Sequence, residues 1–528
     1  MRRRVGASVL VLCATAALIT AAAPAASAQP AWPGQSARLA WGACPQPDPG
    51  RDPRQECATV RVPVDYRRRS GPTIDVWISR IRAARPDLRR GILLSNPGGP
   101  GGQGLDLPSE LAAFLPAEVS DRFDLIGFDP RGVGYSAPVT CGMGPETPVD
   151  LQLPVPAPDG SIDRNVVFAR ETAAACDALS GDILRHISTA NTARDMDAIR
   201  AALGEPKLSY FGLSYGTYLG AVYASLFPHR TDRIVLDSAV DPRRVWYDQW
   251  RTFAIGFAQR FGDFTAWAAA RDDIYHLGST PQAVNELYYA IAAALDEQPI
   301  PQPGSFPFNG NVFRLVTFSA LYSDFFFPDL AGLWAALIQP GAQRSVPAAA
   351  LAALTIRRPV PPEIPFDNLR AAQYAVICGD AAWSRDIAMY QRNVLADRAR
   401  FPGTAGFPAN LWPCVAWRHA PAEPPVAVTD HGPRNILVVQ NLRDPATPWI
   451  TGFGLRQVLG RRASLVTVDQ GGHGATTTGA ACPFDVATNF LLTGRLPVRD
   501  TFCPAEPAAA TIGPNASRPV PRLIPPLW

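Results

Sequence analysis

A chain of 528 residues with 47% hydrophobic content is long enough for a large core, in one elaborated domain or two. Its formal charge of +3 is small for that length and is spread along the chain, which excludes the basic block of a nucleic-acid-binding protein. Lys207 is the single lysine, and with the abundant Ala and Pro this reads as the codon bias of a GC-rich genome.

In chain order, "MRRR", the apolar run "VGASVLVLCATAALITAAA" and "PAASA" form the three parts of a secretory signal peptide over residues 1–28. Small residues at Ala26 and Ala28 place cleavage before Gln29, so a secreted, extracellular protein is expected. No later segment is an uninterrupted apolar run of the ~20 residues that a membrane helix needs. Eight cysteines follow the signal, and an even number in an exported chain points to disulfides. Sequential neighbours are the expected partners: Cys44–Cys57, Cys141–Cys176, Cys378–Cys414 and Cys482–Cys503. With no C-x-x-C and no clustered histidines, no metal site is expected.

Residues 29–242 are read as an N-terminal cap and the first part of the main domain. After a Pro-rich start, "ATVRVPVDY" and "TIDVWISRIRA" alternate as antiparallel strands do. From residue 90 the pattern changes. "GILLSN", "FDLIGF", "KLSYFGL" and "RIVLDSAV" are short apolar runs separated by helix-length segments, which predicts a parallel sheet with crossover helices, an α/β fold. "TARDMDAIRAALG" is one such helix, stopped by Gly204. Between 243 and 430 the alternation gives way to aromatic, mainly helical spacing, as in "WYDQWRTFAIGFAQRF". Strand grammar returns in "NILVVQN" and "SLVTVDQ", with the helix "PFDVATNFLLTG" behind them, over residues 431–505. A sheet that is interrupted and then resumed predicts a lid over the face where the loops gather. A Pro/Ala-rich tail occupies 506–528.

Gly212-Leu213-Ser214-Tyr215-Gly216 fits G-x-S-x-G where a strand turns into a helix, a strained joint that lifts a serine hydroxyl above the sheet. A serine needs a base, and of six histidines His473 in "VDQGGHGATT" follows an apolar strand within a glycine-rich loop. His229 ends the nucleophile helix, where a basic residue already suits the helix dipole. Asp444 in "NILVVQNLRDPATPW" ends a strand and precedes His473, giving the order Ser, Asp, His. Its rivals are Asp237 and Asp241 in "VLDSAVDP". For the oxyanion hole the Tyr215 N–H is one donor, and the glycine loop "LLSNPGGPGGQG" supplies another, from Gly99 or from Gly98.

The segments "NPGGPGG", "FDLIGFDPRGVGYSAP", "GLSYGTYLGAVYASLFP", "RDPATP" and "GGHG" resemble the secreted tripeptidyl aminopeptidases of actinobacteria. These form a branch of the α/β-hydrolases related to prolyl aminopeptidases, with a TAP-like C-terminal region. The resemblance runs from about residue 40 to 505 and implies the α/β-hydrolase fold: a mostly parallel sheet, helices on both faces and a large helical lid. It also implies removal of short peptides (tripeptides) or single residues from free N-termini; no cofactor and a monomeric enzyme are expected. Where prolyl aminopeptidases have His-Gly-Gly-Pro-Gly, this chain has Pro97 before Gly98-Gly99-Pro100-Gly101, a departure that leaves the loop intact and weakens any claim of proline specificity. An exopeptidase recognises a substrate ammonium through a carboxylate. Asp380 in "AVICGD" is the candidate, with Asp324 and Asp329 as alternatives. The same triad and hole cleave esters, so a secreted carboxylesterase or lipase is the competing reading. An inactive binding hydrolase is the third, disfavoured by the intact triad candidates.

Overall fold

The computed structural model describes residues 39–45, 50–68, 70–302, 305–339, 346 and 361–506. The signal peptide and the tail beyond 506 lie outside them. The short apolar runs become one nine-stranded sheet in the order β1-β2-β4-β3-β5-β6-β7-β8-β9. β1 (Glu56–Pro63) and β2 (Thr73–Ile81) pair antiparallel, and β2 runs antiparallel to β4 (Phe123–Phe128). From β4 onward every pairing is parallel, through β3 (Gly91–Asn96), β5 (Leu208–Leu213), β6 (Thr231–Asp237), β7 (Ile436–Arg443), β8 (Ala463–Gly471) and β9 (Thr501–Cys503).

Every residue of β3, β4 and β5 is buried, as expected of parallel strands covered on both faces. The two-residue period sorts them. Ile92, Leu94, Tyr210, Leu236 and Val438 join the core under the helices Thr189–Ala202 and Tyr215–Leu226. Leu93, Leu125, Phe211, Val235 and Leu437 join the core under Leu107–Phe114 and Ala481–Thr493. The helix expected from Thr192 begins three residues earlier, because Ser188 accepts a hydrogen bond from the Asn191 N–H and so caps it.

β9 is an addition to the sequence reading. Three residues carry no periodic signal, and this edge strand is held by parallel pairing to Val466–Val468 and by the Cys482–Cys503 disulfide. All four expected disulfides are present.

Between β6 and β7 the chain forms the helices Tyr247–Ala269, Pro281–Glu297, Gly310–Ala320, Phe327–Leu337, Asn368–Asp380 and Ile387–Arg400. Aromatic rings hold them together: Trp250 stacks on Trp412 at 4.7 Å, and Trp334 meets Phe264 edge-on at 5.1 Å. Their buried side chains are continuous with those of the sheet face beneath, so the helices are one body with the sheet rather than a separate globule. Among the described residues no helix is long and apolar enough to cross a membrane.

Candidate active site

β5 ends at Leu213 and a helix starts at Tyr215, so Ser214 alone makes the turn, with φ 58° and ψ −124°. A non-glycine residue there costs about 1–3 kcal/mol and persists only where its surroundings enforce it. They do: the Ser214 N–H donates to the Asp237 carbonyl at 3.0 Å, and the Thr217 N–H donates to the Ser214 carbonyl at 2.9 Å. The flanking glycines have a steric reason. A Cβ on Gly212 would strike the Gly216 carbonyl and the Tyr210 ring, and one on Gly216 would sit 2.8 Å from the Asn96 carbonyl oxygen.

His473 follows β8 in a loop whose main chain is held at each residue. The Gly472 N–H donates to the Arg443 carbonyl at 3.1 Å, and the His473 N–H donates to the Tyr322 carbonyl at 2.8 Å. Gly472 and Gly474 take φ of 104° and 93°, open only to glycine at little cost. Asp444 lies at the end of β7, completely buried. Its carboxylate accepts from the Ala446 N–H at 2.9 Å, the Thr447 N–H at 2.8 Å and the Thr447 hydroxyl at 3.0 Å. Both carboxylate oxygens stand 3.0 Å from His473 Nδ1. An acceptor on that side puts the ring hydrogen on Nδ1 and leaves Nε2 as the basic nitrogen.

Asp237 has a different task from that of a triad acid. Its Oδ1 accepts from the Ala475 N–H at 2.7 Å, and its Oδ2 accepts from the Thr476 N–H at 2.8 Å and the Thr476 hydroxyl at 2.5 Å. Next to it the Ser238 hydroxyl accepts from the Gly474 N–H at 2.7 Å. The end of β6 thus clamps the histidine loop. Burial pushes the Asp237 carboxyl above the usual range despite these donors. Asp241 makes a local turn with the Arg243 guanidinium at 2.8 Å.

The glycine loop after β3 closes the site. A Cβ on Gly98 would lie 2.9 Å from Ser214 Cβ, so Gly98 is the close-packing glycine while Gly99 faces the cavity. Asp129, in the "FDPRGVGY" segment, braces the loop by accepting from the Gly104 N–H at 2.9 Å, the Leu105 N–H at 3.3 Å and the Tyr135 N–H at 3.0 Å. Burial pushes its carboxyl up to about 6.

Ser214, Tyr215, Gly99 and His473 line one cavity that opens to solvent. None of the other five histidines reaches it. Its remaining walls come largely from the helical insertion: Trp246, Trp250, Phe253, Tyr322, Leu369, and the amides of Gln249 and Gln373. No carboxylate side chain belongs to this lining. Tyr322 escaped the sequence reading; its ring meets the His473 imidazole edge-on at 4.9 Å, besides its carbonyl bond. Only the aromatic density of "LYSDFFFPDL" hinted at it.

Asp380 is not brought to the cavity. It is buried behind Tyr215, where its oxygens accept from the Thr189 N–H at 2.7 Å, the Thr189 hydroxyl at 2.6 Å and the Trp246 indole N–H at 3.1 Å. Both of its oxygens are thus engaged inside the protein, and the carboxylate is not part of the cavity lining. The alternatives are elsewhere too: Asp324 is exposed and pairs with Arg260, and Asp329 is half-buried outside the cavity lining.

Comparison with known proteins agrees with this architecture. The family model described as "alpha/beta hydrolase fold" matches residues 91–288, and that described as "TAP-like protein" matches 400–503. A tripeptidyl aminopeptidase of Streptomyces lividans is 36% identical over 85% of this chain and 83% of its own. Serine protease Hip1 of Mycobacterium tuberculosis is 31% identical over 85% of this chain and 87% of its own. Carboxylesterase B of the same species is 31% identical over 88% and 89%.

Proposed function

We propose a function from one premise: the chain belongs to the tripeptidyl aminopeptidase family of α/β-hydrolases. It is a serine hydrolase, and we read it as an exported, monomeric, cofactor-independent peptidase. Its substrates are peptides with free N-termini, from which it releases tripeptides or single residues. Ser214 Oγ attacks the scissile carbonyl while His473 Nε2 takes its proton, and Asp444 stabilises the resulting imidazolium. The oxyanion meets the N–H groups of Gly99 and Tyr215. Collapse returns the proton to the leaving amine and leaves an acyl-enzyme. A water then repeats the sequence, with His473 as base, to release the acid and restore Ser214. The observation that carries this reading is the convergence of Ser214, His473, Gly99 and Tyr215 on one cavity walled by the insertion. We assign residues 243–430 the role of a lid that admits chain ends and excludes folded protein.

The cavity's neutral, aromatic lining favours a second reading, a carboxylesterase, because nothing in that lining is a carboxylate for an ammonium. One assay separates the two. A free tripeptidyl anilide, its N-acetylated form and a short aryl ester are compared on the same active-site-titrated enzyme. The peptidase reading expects the free anilide to exceed the blocked one by at least about tenfold in kcat/KM. Equal rates on the two anilides would reject the exopeptidase, and turnover of the ester alone would establish the esterase.

A further inference from the structure

Asp380 is a buried carboxylate that the catalytic reading leaves without a task. Among the described residues no arginine, lysine or histidine pairs with it. Burial raises its pKa to about 6. A side chain so unfavourably placed serves mere packing poorly, since a neutral residue would avoid the desolvation of a charge. What it does have is three donors from two directions, the Thr189 N–H and hydroxyl on one side and the Trp246 indole N–H on the other.

Hydrogen counting extends the chain to the active site. The Thr189 hydroxyl has one hydrogen, which goes to Asp380 Oδ2 at 2.6 Å. The Tyr215 hydroxyl, 2.8 Å from Thr189 Oγ1, is therefore the donor in that contact. Tyr215 follows the nucleophile, and its ring lies 5.8 Å from that of Trp246, which also meets Tyr218 edge-on at 5.3 Å. Tyr215 and Trp246 both line the cavity with Ser214. One carboxylate, at the end of the helix Asn368–Asp380, thus holds an indole from the start of the insertion and a phenol from the nucleophile helix. Only a group that accepts at both terminal atoms satisfies this set, Oδ1 taking the Thr189 N–H and Oδ2 the Thr189 hydroxyl and the indole N–H. An amide at the same place would turn N–H groups toward the Thr189 hydroxyl and the indole N–H, leaving the indole without an acceptor.

We propose that Asp380 is a positioning residue that sets selectivity for the acyl part of the substrate, by fixing Trp246 against Tyr215 as one wall of the acyl pocket. The proposal rests on the reading of Ser214 as nucleophile and assigns Asp380 no contact with substrate. Losing the anchor frees the indole to turn. Substrates that fill the pocket then bind less well, whereas an acetyl group too small to touch the wall senses little.

The test compares full-length Asp380→Asn, Trp246→Phe and the double variant with wild type. Active sites are titrated with a fluorophosphonate so that only folded enzyme is counted. Each is assayed on a tripeptidyl p-nitroanilide and on p-nitrophenyl acetate, with KM and kcat resolved. Asp380→Asn should shift the ratio of the two kcat/KM values against the anilide by at least about tenfold, chiefly through KM. Trp246→Phe should shift it in the same direction, and the double variant should go no further than the stronger single one by more than about twofold. Equal losses on both substrates per titrated site, or ratio shifts that multiply in the double variant, would overturn the proposal. Should Asp380→Asn not fold, Trp246→Phe decides, because it keeps the carboxylate with Thr189 and removes the indole N–H together with part of the wall it holds; a wild-type ratio there overturns the proposal. If wild type cleaves no anilide, the peptidase reading fails separately, and a long-chain acyl ester replaces the anilide in the same comparison.

Discussion

At the ends of β5 to β8 each candidate catalytic group is held by the main chain, whereas the insertion, the Trp246–Asp380 hydrogen bond apart, holds its own groups largely by ring contacts and ion pairs. Ser214 is fixed by bonds to Asp237 and Thr217, and Asp444 by two N–H groups of its own turn. In the insertion, Trp250 rests on Trp412, while Arg260 spans Asp263 and Asp324. Main-chain bonds at strand ends define positions closely, because each of these strands is paired to a neighbour on both sides. Ring stacks resist separation but tolerate exchange of one apolar shape for another. On the function proposed above, the chemistry would belong to the rim and the choice of substrate to the adaptable wall.

The sharpest way to break that division is at the rim. Ser214→Ala and His473→Ala should each lower kcat/KM by at least about 10⁴-fold in protein that still folds. Turnover near the wild-type rate by either folded variant would remove it from the mechanism. Within the insertion, Trp334 is buried against Phe264, Phe313 and Tyr288 and does not line the cavity. Trp334→Ala should lose about 3–5 kcal/mol of stability in denaturant titration. Its kcat per titrated site should change by no more than about threefold; a larger fall in kcat would show that the wall and the rim are coupled. Asp237→Asn probes the clamp on the histidine loop and should lower kcat by about 10–100-fold with KM little changed. A rise in KM with kcat intact would move Asp237 from the rim's task to the wall's.

The smallest effect is on pH dependence. Burial raises Asp380 from 3.8 to about 6, so the folded protein binds a proton that the unfolded chain has released across that window. Stability from this group is therefore greatest at the acid end, falls as pH rises toward about 6 and is level above it. Asp380→Asn cannot take up that proton. The Tm of wild type relative to Asp380→Asn should rise as pH is lowered from about 7 to 5, and a constant difference would place the carboxyl in a more solvated setting.

Local chemistry made much of the molecule readable beforehand. Six of the nine strands follow from short apolar runs, because burial on two faces demands an unbroken apolar stretch, and β1 and β2 follow from their alternation. The turn at Ser214 is legible because a steric constraint writes itself into adjacent residues, as Gly212 and Gly216 do. The disulfide pairs join sequence neighbours, and those too were within reach. Carboxylates were harder. Asp444, Asp237 and Asp380 look alike in sequence, each an acid after an apolar run, yet one faces an imidazole, one grips a loop and one anchors an indole. Those three partners lie 29, 238 and 134 positions away respectively. Tyr322 reaches His473 across a similar distance in the chain, and no period or motif announces it. Periodicity and turn preference are properties of neighbouring residues, so the sequence by itself determined the sheet and the nucleophile's joint. The partner of a buried charge is whatever the folded chain brings within hydrogen-bond reach, so only the tertiary structure decided which acid does which work.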